Sequence, residues 1–256
     1  MAIRNKKYHG CLNTFTIIDD LGLDDYTNLA KELCEQNDTD GFIVCKLNPL
    51  EMVFYNRDGS RGSMCGNGMR SFIKYLLDEQ KINPGIDEMF EVVTLAGKIN
   101  VWLLSINPYL VKVDLGYPII DSNKMDMTEK EIFPLLLKDM LIYNLFIGTH
   151  HSVIFVEEYD MTKLDMMVDV IKKSNIYKKF TNIDFVKVID SDNIYVKTYE
   201  RGVGYTKACG TGSTASAYVA HALGKVNNKV FVHNDGGDLI IQVKDKCYMI
   251  GSAEEY

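Results

Sequence analysis

The sequence predicts a mixed α/β (α+β) chain built of two halves of like architecture, and three observations carry that expectation. Segments of alternating β-branched and aromatic residues recur along it, two well-patterned helices separate some of them, and both helices open on the same short preamble. The chain has 256 residues, 46% hydrophobic and 25% charged, which is ample material for one large domain or two modest ones.

In chain order, strands are expected at Phe15–Ile18, Gly41–Cys45, Met52–Tyr55, Val111–Leu115, Val153–Val156, Phe185–Ile189, Ile194–Tyr199 and Leu239–Val243. After Gly68, residues Met69, Phe72, Ile73, Leu76 and Leu77 recur at i, i+3, i+4, i+7 and i+8, which predicts a helix with one apolar core-facing stripe. It ends before Asn83-Pro84-Gly85. After Gly212 the run to Gly224 is small or apolar nearly all round, the pattern of a helix buried inside a sheet or barrel. MCGNG at Met64–Gly68 precedes the first helix and ACGTG at Ala208–Gly212 the second. Upstream, HGCLN leads into FTII and GTHHS into VIFV, a second echo of the same repeat. The N-terminal half is expected over residues 1–116, closing at the turn signal Leu115-Gly116-Tyr117-Pro118, and the C-terminal half over 117–246.

Composition narrows the partners. A formal charge of −7 is spread along the chain, and no basic run supplies the stripe a nucleic-acid binder needs. The start MAIRNKKYHG lacks the apolar core of a signal peptide, and the longest apolar stretches, Phe133–Leu137 and Met140–Phe146, are too short to span a bilayer. A soluble cytoplasmic protein with a small-molecule partner, and neither nucleic acid nor membrane, is the expectation. None of the cysteines forms a C-x-x-C pair, which argues against structural zinc. Cys11, Cys34, Cys45 and Cys247 read as small buried hydrophobes; Cys65 and Cys209 differ in kind.

A thiol at the start of a helix meets unsatisfied N–H groups and the positive end of the helix dipole, so its pKa is expected to fall from about 8.5 toward neutrality. The flanking glycines let a carboxylate approach the backbone donors. Two such thiols facing one bound molecule suit inversion at carbon: one removes a proton, and the other delivers one to the opposite face. Fixed dipoles at two helix N-termini would stabilise the carbanion-like transition state. A pyridoxal phosphate enzyme would need a Schiff-base lysine, and no lysine here has a convincing context for it.

From Tyr8 onward the motifs KYHGCLNTF, FYNRDGSRGSMCGNG, VVTLAG, VKVDLGYP, IGTHHSVIFVE, TNIDFVKV, TYERGVGYTKACGTGSTAS and HNDGGDLIIQV resemble the diaminopimelate epimerase family. The resemblance implies two pseudo-symmetric halves, each a β-barrel-like sheet wrapped around a central helix, with the active site in the cleft between them. Residues 247–256 would join the N-terminal half. It implies an isomerase of amino-acid metabolism, on the route to lysine, that needs neither metal nor pyridoxal phosphate. Cys65 and Cys209 match the catalytic thiols, and His151 and Glu200 match residues that assist them. Gly66, Asn67, Gly210 and Thr211 match donors to the α-carboxylate. Asn13, Asn56, Asn182 and Arg201 match substrate-binding positions; the last three would grip the distal amino-acid centre, where a planar guanidinium suits a carboxylate. The oligomeric state stays open, a homodimer included.

Two departures bear on the substrate. The family's Gly-Asn-Pro-His is here Gly148-Thr149-His150-His151, and its Gly-Asn-Asp-Phe is Leu12-Asn13-Thr14-Phe15. Retention of Asn56, Asn182 and Arg201 favours diaminopimelate or a two-headed amino acid such as lanthionine. Thr149 and Thr14 favour a single-centre amino acid such as histidine; diaminopimelate is preferred. From other classes, a thiol redox sensor and a non-catalytic anion-binding module use the same features. Of these readings only the racemase incorporates solvent deuterium at the α-carbon of a free amino acid.

Overall fold

A strand with no polar alternation must be covered on both faces, and Phe42-Ile43-Val44-Cys45 is such a run. In the computed structural model, which describes residues 3–256, it lies at the centre of the first of two units. One unit comprises Met1–Asp114 with Met249–Tyr256, the other Leu115–Tyr248.

The first unit begins with a hairpin of β1 (Lys6–Gly10) and β2 (Asn13–Asp19). Its two-residue turn, Cys11-Leu12, has φ of 54° and 58°, the double positive-φ geometry whose twist matches that of the strands. Then come α1 (Thr27–Asn37), β3 (Gly41–Leu47), β4 (Leu50–Asn56), α2 (Gly66–Asp78), β5 (Met89–Thr94), β6 (Gly97–Ile106) and β7 (Tyr109–Gly116). β3 is parallel to β2 and antiparallel to β4. Phe42 and Val44 pack with Tyr26, Ala30, Leu33 and Cys34 on the α1 side. On the other face Phe15 and Ile43 lie against Gly68 of α2, where a Cβ would stand 3.3 and 3.4 Å from them. β1 to β4 surround α2, which is therefore buried nearly all round, with Arg70 and Ser71 inside, rather than along the single apolar stripe the sequence predicts.

The second unit repeats this order. It runs through β8 (Leu135–Leu137), β9 (Met140–Ile147), β10 (Thr149–Phe155), α3 (Met161–Lys173), β11 (Asn182–Val188), β12 (Asn193–Glu200) and β13 (Gly204–Thr206). α4 (Gly210–Ala222), β14 (Lys229–Asn234) and β15 (Gly237–Val243) follow; β16 (Cys247–Gly251) then leads back to the first unit, where β17 (Glu254–Glu255) pairs with β1. β10 and β11 are parallel across α3, as β2 and β3 are across α1. α4 is enclosed by β9 to β12, β14 and β15 and is buried on almost every side.

The segments expected as strands lie in β2, β3, β4, β7, β10, β11, β12 and β15, with Val156 and Ile189 one residue beyond the last strand residue. α2 and α4 start earlier than the periodicity suggests, inside the glycine preambles. α1 and α3 have no counterpart among the sequence expectations. Among the described residues no helix is long and apolar enough to cross a membrane.

α3 is held by Leu164, Val168 and Ile171, buried against Ile142, Ile154, Ile183 and Phe185. Leu164→Ala is expected to cost about 2–5 kcal/mol in urea unfolding. Met166→Ala, at a side chain 65% exposed on the same helix, should stay within about 0.5 kcal/mol of the wild type.

Candidate active site

Each central helix is capped by a cysteine. Cys65 and Cys209 are extended (φ −134° and −122°), and each Sγ accepts from the backbone N–H three residues on, Gly68 or Gly212, at 3.4 Å. The first helical bonds run from Met69 N to Cys65 O and from Ser213 N to Cys209 O, both 2.8 Å. The N–H groups of Gly66 and Asn67, and of Gly210 and Thr211, therefore have no acceptor within their helices and sit at the positive dipole end. Such a turn suits a carboxylate.

In the second unit a string of side chains ends on the thiol. Asp184 and His151, both fully buried, meet at 2.7 Å between Oδ2 and Nδ1. His151 Nε2 lies 3.0 Å from Thr211 Oγ1, which lies 3.5 Å from Cys209 Sγ. The other oxygen of Asp184 accepts from Thr198 Oγ1 at 2.7 Å. A carboxylate only accepts, so Nδ1 carries the proton, and in the neutral ring Nε2 accepts from Thr211. Gly212 makes this possible: a Cβ there would stand 2.3 Å from Asp184 Oδ1. Glu200, at the end of β12, takes a bond from Thr206 Oγ1 at 2.7 Å.

The electrostatics at Cys209 correct the expectation of a lowered thiol pKa. Burial, followed by the carboxylates of Glu200 and Asp184, pushes the thiol well above its ordinary value. The hydrogen bond shared with Thr211 and the one from the Gly212 N–H act in the other direction and are outweighed.

In the first unit Cys65 is only partly buried, and its Sγ donates to Asn13 Oδ1 at 3.8 Å. Asn67 Nδ2 reaches the same oxygen at 3.4 Å, and Asn13 Nδ2 donates to Asp40 Oδ2 at 3.1 Å. Cys65, Asn13 and Asn67 thus form one group with the first turn of α2. Asn56 is engaged in its own turn, with Nδ2 on Ser60 Oγ at 2.9 Å, and has no bond to that group among the described residues.

Asn182 and Arg201 are joined in the second unit, where Arg201 N donates to Asn182 Oδ1 at 2.9 Å. Asn182 is paired across β10 and β11 with His151, and β12 ends on Glu200, so these residues share one end of the sheet. The exposed Arg201 guanidinium donates to Phe180 O at 3.3 Å. His150, beside Thr149, has a lowered pKa, first through burial and then through the charge of Arg201.

Asp184, Arg70, Asp40 and His150 are absent from the sequence candidates. A carboxylate among the apolar residues of NIDFVKV is a signal that can be read without a structure, whereas Arg70 lies off the apolar stripe that begins at Met69. Asp40 sits in an ordinary turn sequence with no such mark.

A family model described as Diaminopimelate epimerase matches residues 6–120 and 143–255. The chain is 36% identical to the diaminopimelate epimerase of Caldanaerobacter subterraneus subsp. tengcongensis, over 99% of this chain and 97% of that one. Two solved structures share the fold: the Bacillus anthracis phenazine biosynthesis protein of the PhzF family (TM-score 0.70, 13% identity, covering 100% of this chain and 97% of that one) and a hydroxyproline epimerase from Agrobacterium vitis (TM-score 0.65, 10% identity, 99% and 90%). With the family model spanning both units and that identity sustained over nearly the whole chain, the protein belongs to the diaminopimelate epimerase family, a family of isomerases.

Proposed function

We propose that this chain inverts one α-carbon of diaminopimelate by a two-base reaction of Cys65 and Cys209, without metal or pyridoxal phosphate. The observation that carries the reading is the pair of cysteine N-caps, one on the buried central helix of each unit, each beside two N–H groups with no acceptor in the helix. Inversion needs a base on one face of the carbon and an acid on the other, and each unit supplies one thiol.

In one direction the Cα–H bond breaks as Cys65 gains the proton, and the electron pair spreads into the α-carboxylate held by the helix N-termini. The S–H bond of Cys209 breaks as its proton reaches the opposite face of the carbon. The raised pKa of Cys209 supports this starting point, because the buried thiol holds its proton until a carbanion is there to take it. In the reverse direction Cys209 is the base. It is left as the thiolate when its proton goes to the carbon, while Cys65 then carries the proton to be delivered, and the Thr211 hydroxyl, 3.5 Å from Sγ, is placed to turn toward that thiolate.

The distal amino-acid centre of diaminopimelate is assigned to Asn182 and Arg201, because the exposed guanidinium next to a neutral His150 leaves net positive charge for a carboxylate. A second reading, a single-centre amino acid such as histidine, draws on Thr149, which lacks the amide the epimerases place there.

The reaction is tested by deuterium uptake at the α-carbon in D2O. Cys65→Ser and Cys209→Ser are each expected to lower kcat about 10²–10⁴-fold with circular dichroism unchanged. Activity should survive dialysis against chelator and be lost on thiol alkylation. Full activity in either serine variant removes the two-base reaction. Asp184→Asn reverses the tautomer of His151 by offering it an amide NH2, so kcat should fall while the urea midpoint stays near that of the wild type; an unchanged kcat would separate the string from catalysis. For specificity, Arg201→Leu should weaken diaminopimelate about ten- to a hundredfold, and Thr149→Asn should improve its turnover. If histidine is the substrate, Thr149→Asn impairs instead, by filling side-chain space.

A further inference from the structure

Arg70 is the largest fully buried side chain, and among the described residues its guanidinium meets no carboxylate. Nε donates to Ser252 O at 3.0 Å; Nη1 donates to Asn67 Oδ1 at 3.0 Å, Met249 Sδ at 3.3 Å and Gly66 O at 3.5 Å; Nη2 reaches Cys11 Sγ at 3.3 Å. Gly10 leaves the room, since a Cβ there would stand 2.9 Å from Nη2. Buried charge is costly unless another charge compensates it, and this one sits directly behind the first turn of α2. The matching position in α4 is Thr214, which merely bonds Gly210 O at 2.8 Å.

The same side chain decides how an amide points. Arginine only donates, so the atom of Asn67 it holds is the oxygen, and the NH2 faces Asn13. At the other end the Asp40 carboxylate only accepts, so Asn13 gives it the NH2 and turns its oxygen to Cys65 Sγ and Asn67. Two charges of opposite sign thereby orient two amides between them.

We infer that Arg70 and Asp40 are positioning residues of the Cys65 half-site. Arg70 aims the Asn67 NH2 and supplies a positive charge behind the turn that receives the substrate carboxylate. Asp40 keeps the Asn13 oxygen available to the S–H that Cys65 carries after taking a proton. The inference rests on the reading of that turn as a carboxylate site.

The test measures KM and kcat for α-proton exchange of meso-diaminopimelate, urea unfolding, and the side-chain amide NMR signals of the ligand-free protein. Arg70→Met should raise KM about ten- to a hundredfold, and Arg70→Lys should recover part of it, because the charge returns without the fork. Asp40→Ala should lower kcat, and Asp40→Asn should restore it, since one amide oxygen can take the three bonds that Asn13 Nδ2, Thr14 N and Thr14 Oγ1 now give Asp40 Oδ2. Asn67 and Asn13 NH2 signals should shift in Arg70→Met and Asp40→Ala respectively, even in a protein that turns over nothing. A failure of the proposed reaction therefore appears in the wild type alone. Wild-type KM in Arg70→Met and wild-type kcat in Asp40→Ala, or activity that falls only with the folded fraction at constant KM, overturns the inference. If Arg70→Met does not fold, wild-type KM in Arg70→Lys overturns it.

Discussion

A sulfur atom that accepts the third N–H of a helix leaves the first two for something else, and the rest of this structure is arranged around that bond. It fixes each thiol at the positive end of a helix without closing the turn to an anion. α2 and α4 are buried, so in the proposed reaction a carboxylate would offset the desolvation of those N–H groups. The strands around each helix enclose it on most sides.

The two units repeat their topology but not their charges. Behind the turn of α2 stands a buried guanidinium; against the turn of α4 stand two carboxylates, Asp184 and Glu200. The sequence expectation treated the two thiols alike, since helix N-termini are alike. Desolvation and neighbouring carboxylates outweigh the helix end at Cys209, and neither is visible in the five residues ACGTG.

Legibility followed the periodicity of the residues. Strands with β-branched alternation and the stripe beginning at Met69 could be read directly, and the glycine preambles marked where helices begin. β9 could not, because the apolar run MLIYNLFI fits a buried helix as well as a strand. α1 and α3 bury only Ala30, Leu33 and Cys34, and Leu164, Val168 and Ile171, so their helical signal is diluted by polar neighbours. In the site, residues inside the cysteine motifs could be named from sequence, whereas Asp184 and Asp40 act through partners far away in the chain. Arg70 was hidden by its own helix: the pattern marks the position as outward, and the closed sheet makes it inward.

The path of the chain also sets an order of events. Ser252 O, which accepts from Arg70, and β17, which pairs with β1, belong to a segment made only after Leu115–Tyr248. On the ribosome the first unit therefore lacks the Ser252 acceptor of Arg70 and one of the two partner strands of β1 until the second has been synthesised. A chain ending before Met249 would leave that edge of β1 without its partner strand, and chaperones that read exposed strand edges would find their substrate there.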